Sequence, residues 1–280
     1  MSKLLLAAML LVPTLATAQQ VAVPVPEMNE AHHQALRQAI GSPTRSITNI
    51  VRDAHRNPEH TLAFFQVEPQ HTVVEAWPGA GWYSEILAPY LREEGRLIAA
   101  HFDPESDVEF MQRSLAGFKR TLADPRGTYE NVELAVLNYA PDQPIAEPGT
   151  ADRVLTFRNV HNWLAAGEEQ MQVVFAKFFD VLKPGGLLGI VEHRANNNFS
   201  LEDMIRTGYV TEAKVRELAE QAGFELIDSS PINENPRDTK DHPEGVWTLP
   251  PTLRLGNENR THYIAIGESD RMTLLFRKPE

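Results

Sequence analysis

The sequence predicts an α/β fold: a doubly wound, mostly parallel sheet of seven strands, preceded by helices and carrying a flap between strands six and seven. Three observations point there. From His71 onward, short runs rich in β-branched residues alternate with segments of helical period, the pattern of an open sheet with helices on both faces. Residues 187–191 (LLGIV) are apolar without a break, as expected of a parallel strand buried on both faces. Glycine and proline cluster in Pro78-Gly79-Ala80-Gly81 and Lys183-Pro184-Gly185-Gly186, where strands and helices exchange.

The elements follow in order. Lys3, an apolar run from Leu4 to Leu15 and Ala16-Thr17-Ala18 read as a secretory signal peptide over residues 1–18, cut before Gln19. Pro13 interrupts the run, which is shorter than the about 20 apolar residues of a membrane span. The expectation is a periplasmic or secreted protein with no stable membrane insertion after cleavage. The chain has no cysteine, so its stability in an oxidising compartment must come from its core. Residues 19–70 are a proline-bearing lead-in followed by helices over 29–40 and 43–56, then a short helix from Glu59. Asn57-Pro58 stops the second of these helices.

Residues 71–280 form the main domain. Strands are expected at 72–76, 96–100, 131–137, 151–157, 187–191, 224–227 and 272–277, the last antiparallel. Helices are expected at 82–91, 105–122, 167–182 and 211–222. The third of these carries Met171, Val174, Phe175 and Phe178 as a core stripe, and Thr211 and Gly223 bracket the fourth. Residues 231–269 are read as a flap of extended segments and turns, with Trp247 and Pro250-Pro251 covering the strand ends.

With 38 acidic against 26 basic residues the net charge is −12, which argues against nucleic acid as the partner and leaves a small molecule. Oligomeric state is not legible. In a doubly wound sheet, ligands bind beyond the carboxyl ends of the strands. His101, His161 and His193 each follow a strand, and parallel strands place them on one rim, with Glu75, Asp103 and Glu192 near them. His161, His193 and Glu192 are the candidate catalytic residues, with His161 as the general base. None of these histidines has a close-spaced partner of the H-x-x-x-H kind, so no metal is assigned. Tyr83, Asn162, Trp163 and Trp247 are candidate substrate contacts.

Taken in order, Val73 to Tyr83, Gly95 to Ala100, Ala151 to Leu155 and Val181 to Gly186 resemble the class I S-adenosylmethionine-dependent methyltransferases, with a Rossmann-like fold. The resemblance runs from about His71 to Val191, and strands six and seven extend it. Arg52-Asp53, Pro58, Thr61 to Phe65 and Gly245 to Pro251 resemble an exported branch of predicted methyltransferases. The resemblance implies S-adenosylmethionine as cofactor and methyl transfer to a small molecule. It also implies that Glu75 holds the loop or the cofactor's amino group, with Gly79 and Gly81 beside the methionine moiety. Trp77 stands in place of the family's first glycine. His101 stands in place of the ribose-binding acid, with Asp103 two residues on, and Asn138 in place of the acid that contacts adenine. A protein of the same fold that binds a small molecule or metal without methylating is the alternative.

Overall fold

The computed structural model describes residues 28–280, so the signal peptide read over 1–18 lies outside the described residues. The first helix, α1 (Glu30–Ile40), begins where the Asn29 side chain accepts the His32 N–H at 2.9 Å. The expected helix over 43–56 divides into α2 (Ile47–Ile50) and α3 (Asp53–Arg56). Asn57 ends α3 in the left-handed conformation, and Pro58 opens α4 (Pro58–Phe64) at a position that needs no N–H donor.

The alternating part follows as β1 (Thr72–Ala76), α5 (Ser84–Leu91), β2 (Arg96–His101), α6 (Glu109–Leu122), β3 (Val132–Val136) and β4 (Ala151–Phe157). Next come α7 (Val160–Ala166), α8 (Glu168–Val181), β5 (Leu182–His193), α9 (Leu201–Thr207), α10 (Glu212–Gln221) and β6 (Glu225–Ser230). A 3-10 turn (Gly245–Thr248), α11 (Arg260–Ile266) and β7 (Arg271–Arg277) complete the chain. The sheet order is β3-β2-β1-β4-β5-β7-β6, with β7 antiparallel to both its neighbours and all other pairs parallel. Strand order reverses between β1 and β4, which opens a crevice at their carboxyl ends.

The two faces of the sheet bury separate cores, as the period-two alternation of a strand requires. Val73 and Leu97 face Leu36, Ile86 and Leu87, while Val74 and Ile98 face Phe175 and Phe178. On β5, Gly189 lets the backbone approach the Phe65 ring: an added Cβ would lie 2.6 Å from it. That close contact fastens the helices before β1 onto the central strands.

The flap differs from its expected form. Residues 245–248 and 260–266 are helical, not extended, and the segment is tied down by buried Asp238. The Asp238 carboxylate accepts hydrogen bonds from the Tyr209 hydroxyl at 3.0 Å, His242 Nε2 at 2.9 Å and the Asp270 N–H at 2.8 Å. Among the described residues no helix is long and apolar enough to cross a membrane.

Candidate active site

A cavity of about 340 Å³ opens at the β1/β4 crevice. The loop after β1 contributes Trp77, Pro78, Gly79 and Ala80 to its wall. The segment after β4 contributes Arg158, Asn159 and His161, and the α2–α3 segment contributes Asn49, Arg52 and Arg56. Glu75, Tyr83, His193 and Arg271 line it from the sheet side, and Trp247 with Pro250-Pro251 closes it from the flap.

His161, Glu192 and His193 converge here because β4 and β5 are parallel neighbours and end together. The Glu192 carboxylate accepts three donors: His161 Nδ1–H at 3.0 Å, the His161 backbone N–H at 3.3 Å and the His193 N–H at 2.7 Å. Engaging Nδ1 leaves Nε2 as the unprotonated nitrogen of a neutral His161, on a ring that lines the cavity. His193 bonds Ser269 Oγ through Nδ1, and its ring centroid lies 5.2 Å from that of His161. Burial first, then the electrostatic influence of the adjacent His161 ring and the charges of Arg158, Arg271 and Arg56, hold His193 well below the ordinary histidine range, so it stays neutral. The ligand atoms of His161, Glu192 and His193 lie within 4.8 Å of one another. Three flanking guanidinium groups (Arg56, Arg158 and Arg271) oppose a divalent cation at this point.

Glu75 is 2% exposed, and Ser84 Oγ donates to it at 2.6 Å. Burial pushes its carboxyl up to about 7, against the stabilising charge of Arg56. Tyr83 stacks on Phe157 with ring centroids 3.5 Å apart and donates its hydroxyl to the Arg56 carbonyl. Trp247 sits edge-on to His161 at 6.1 Å between ring centroids. Trp163 and Asn162 lie elsewhere. Trp163 is fully buried against Phe175 and Phe178, and Asn162 is exposed on the first turn of α7. Asn159, on the cavity wall, donates instead to the Ala76 carbonyl at 3.0 Å and so ties the two loops together.

Of the residues expected to hold the adenosine half of a cofactor, His101, Asp103 and Asn138 lie outside the cavity, while Trp77 reaches its wall. Trp77 adopts a left-handed backbone (φ 45°), and its indole N–H donates to the Leu137 carbonyl at 2.9 Å. The ring therefore spans from the end of β1 to the end of β3, packed on Phe102, Tyr139 and Trp163. His101 is fully buried and sits apart from the other two histidines. Its Nε2–H donates to the Gly79 carbonyl at 3.0 Å and its Nδ1 accepts the Phe102 N–H at 2.7 Å. Asp103 accepts Asn138 Nδ2 at 2.8 Å, and Lys177 Nζ donates to the Asn138 side-chain oxygen at 3.0 Å. These groups satisfy one another. Gly79, by contrast, faces open space, while a Cβ on Gly81 would lie 3.0 Å from the Phe118 ring. The methionine side of an S-adenosylmethionine site is thus open and the adenosine side is filled by an indole. In this arrangement the residues do not fit the intact cofactor.

Sequence reasoning missed the arginines of the cavity. Arg158 and Arg271 carried a signal: each is a cation abutting an apolar strand, in Val154-Leu155-Thr156-Phe157-Arg158 and Arg271-Met272-Thr273-Leu274-Leu275. An arginine at the mouth of a buried strand points at the crevice by topology alone.

No family model matches the chain, and no curated protein matches it. Solved structures do. A S-adenosylmethionine-dependent methyltransferase from Aquifex aeolicus is 16% identical, with a TM-score of 0.52 over 88% of this chain and 98% of that one. Geranyl diphosphate methyltransferase in complex with S-adenosylmethionine is 14% identical, with a TM-score of 0.52 over 86% and 94% of the two chains. The cyclase SpnF is 16% identical, with a TM-score of 0.54 over 88% and 93%. At these identities the likeness is one of fold.

Proposed function

We propose, on the premise that the chain has the fold of the class I S-adenosylmethionine-dependent methyltransferases, that it is an enzyme acting on a small molecule in this cleft. His161, oriented by Glu192, is its proton-transfer group. The observation that carries this reading is the His161–Glu192 hydrogen bond at 3.0 Å, with the imidazole on the cavity wall. A buried carboxylate fixes the tautomer, and the remaining ring nitrogen takes a proton from a nucleophile beside it. Binding of S-adenosylmethionine in this cleft would require the Trp77 indole to leave the space between the ends of β1 and β3. Methyl transfer to the small molecule is the reaction that the fold of the neighbours supports.

A second reading is favoured by the Trp77 indole, which fills the adenosine side. Under it, the chain is a non-methylating protein of the same fold. The likeness to a cyclase accords with one fold hosting more than one chemistry. Calorimetric titration of S-adenosylmethionine and S-adenosylhomocysteine into the wild type and Trp77→Gly separates the two. Binding to the wild type supports methyl transfer, with the indole displaced by the ligand. Binding to Trp77→Gly alone supports the second reading. Absence of binding to both, with Trp77→Gly folded by circular dichroism, removes methyl transfer. The export read from residues 1–18 belongs to the same proposal.

A further inference from the structure

Proton transfer at His161 leaves four arginines of the cavity without a role. Arg52, Arg56, Arg158 and Arg271 come from three separate parts of the chain and line one cavity in a protein of net charge −12. A single carboxylate, Glu268, serves three of them. It accepts Arg52 Nε at 2.6 Å and Arg271 Nη2, and lies 3.8 Å from Arg56 Nε. Among the described residues no hydrogen bond or ion pair engages the Arg158 guanidinium. Arg56 is 3% exposed, yet its Nε and Nη2 have no hydrogen-bond acceptor, nor have Arg271 Nε and Arg52 Nη2. Its guanidinium lies over the Trp82 ring at 4.5 Å, which orients the group but satisfies none of its donors. Buried donors without acceptors are costly, and like charges held together add to that cost. Burial lowers Arg158 to about 10, and burial with the neighbouring arginines lowers Arg56 well below its ordinary value.

An oxyanion reverses both penalties. The planar fork of a guanidinium matches two oxygens of a carboxylate or phosphate, and several forks around one anion share its charge. We propose that the cleft binds its ligand through an oxyanion, phosphate or carboxylate, seated among Arg56, Arg158 and Arg271. This inference rests on the preceding reading only in placing a small molecule in the cavity. The Tyr83–Phe157 stack and Trp247 offer the apolar wall for the rest of that molecule. The oxyanion belongs either to a second molecule or to the carboxylate of the cofactor's methionine moiety.

The test uses phenyl phosphate, benzoate, L-methionine and benzyltrimethylammonium, titrated calorimetrically into the full folded chain. We expect phenyl phosphate or benzoate to bind and the ammonium probe not to bind. Arg158→Gln should weaken the anion at least tenfold, and Arg158→Lys should recover part of the loss. Because the Arg158 guanidinium makes no bond to the protein among the described residues, Arg158→Gln without ligand should melt at or above the wild-type temperature at low salt. A structural arginine would give a lower one. Methionine competing with phenyl phosphate assigns the seat to the cofactor's carboxylate; phenyl phosphate binding without methionine binding assigns it to a second molecule. Absence of anion binding, or unchanged affinity in Arg158→Gln, overturns the inference. His161→Gln keeps the two proposals apart: it should retain anion binding, and loss of turnover there speaks only to proton transfer.

Discussion

Glu75 combines a full burial with one hydroxyl partner, and that imbalance sets a pH dependence for the whole fold. Its carboxyl titrates at about 7 in the native chain against an ordinary 4.5. Between those values the native state holds a proton that the unfolded chain has released. The Glu75 contribution to stability is therefore greatest below about 4.5, falls as pH rises through the window, and is level again above about 7. The size is at most about 3 kcal/mol, from about 1.36 kcal/mol per pKa unit. Glu75→Gln keeps an oxygen for Ser84 and removes the ionisation. Its melting temperature should exceed that of the wild type at pH 8 by more than it does at pH 5; parallel profiles would show that Glu75 is not the titrating group. At this scale the sequence was partly legible. Glu75, Gly79, His161 and His193 could be placed by following strands to their ends. The direction of the Trp77 indole could not, because a left-handed backbone at a tryptophan is decided by what surrounds it: the Ala100 carbonyl, Asn159 and the Leu137 carbonyl.

Among the elements, the strands were the most readable and the flap the least. β1 and β4 match their expected bounds because each is a short apolar or alternating run between clear turn residues. Helices α7 and α9 went unseen: seven residues each, they carry too few turns for a period to show. In the flap, side chains decide the course, through Asp238 and through Gly245, where an added Cβ would lie 2.2 Å from the Thr207 carbonyl. A positive φ of 53° at Gly245 turns the chain toward α9 and carries Trp247 over His161. Trp247 is half-buried and also bears the Arg254 guanidinium at 4.6 Å, so its ring is oriented from outside as well. Trp247→Ala should weaken phenyl phosphate binding roughly tenfold, about 1.4 kcal/mol, while lowering the melting temperature by only a few degrees. The reverse outcome, a large thermal loss with affinity unchanged, would make the flap a structural strap.

For the molecule as a whole, the order β3-β2-β1-β4-β5-β7-β6 brings distant parts of the chain to one crevice. Arg52, Arg158 and Arg271 are each separated by a hundred residues or more, yet meet where strand order reverses. Helix α1 starts with its own Asn29 cap, and Leu36 and Ala39 join the core of the α5 side. Under the proposed export, cleavage after Ala18 would remove one positive charge, Lys3, and take the net charge from −12 to −13. If exported as proposed, a chain without cysteine would have no disulfide to form and no thiol to be trapped, so its stability there would rest on the hydrophobic cores and on buried polar contacts such as those of Asp238. Expressed with residues 1–18 intact in a Gram-negative host, the protein should therefore be recovered in the periplasmic fraction with Gln19 at its amino terminus, by intact mass. A chain starting at Gln19 and expressed in the cytoplasm should show the same melting temperature and the same affinity for phenyl phosphate. An intact Met1 on the recovered protein, or a cytoplasmic location of the full chain, would overturn the export reading while leaving the cleft as described.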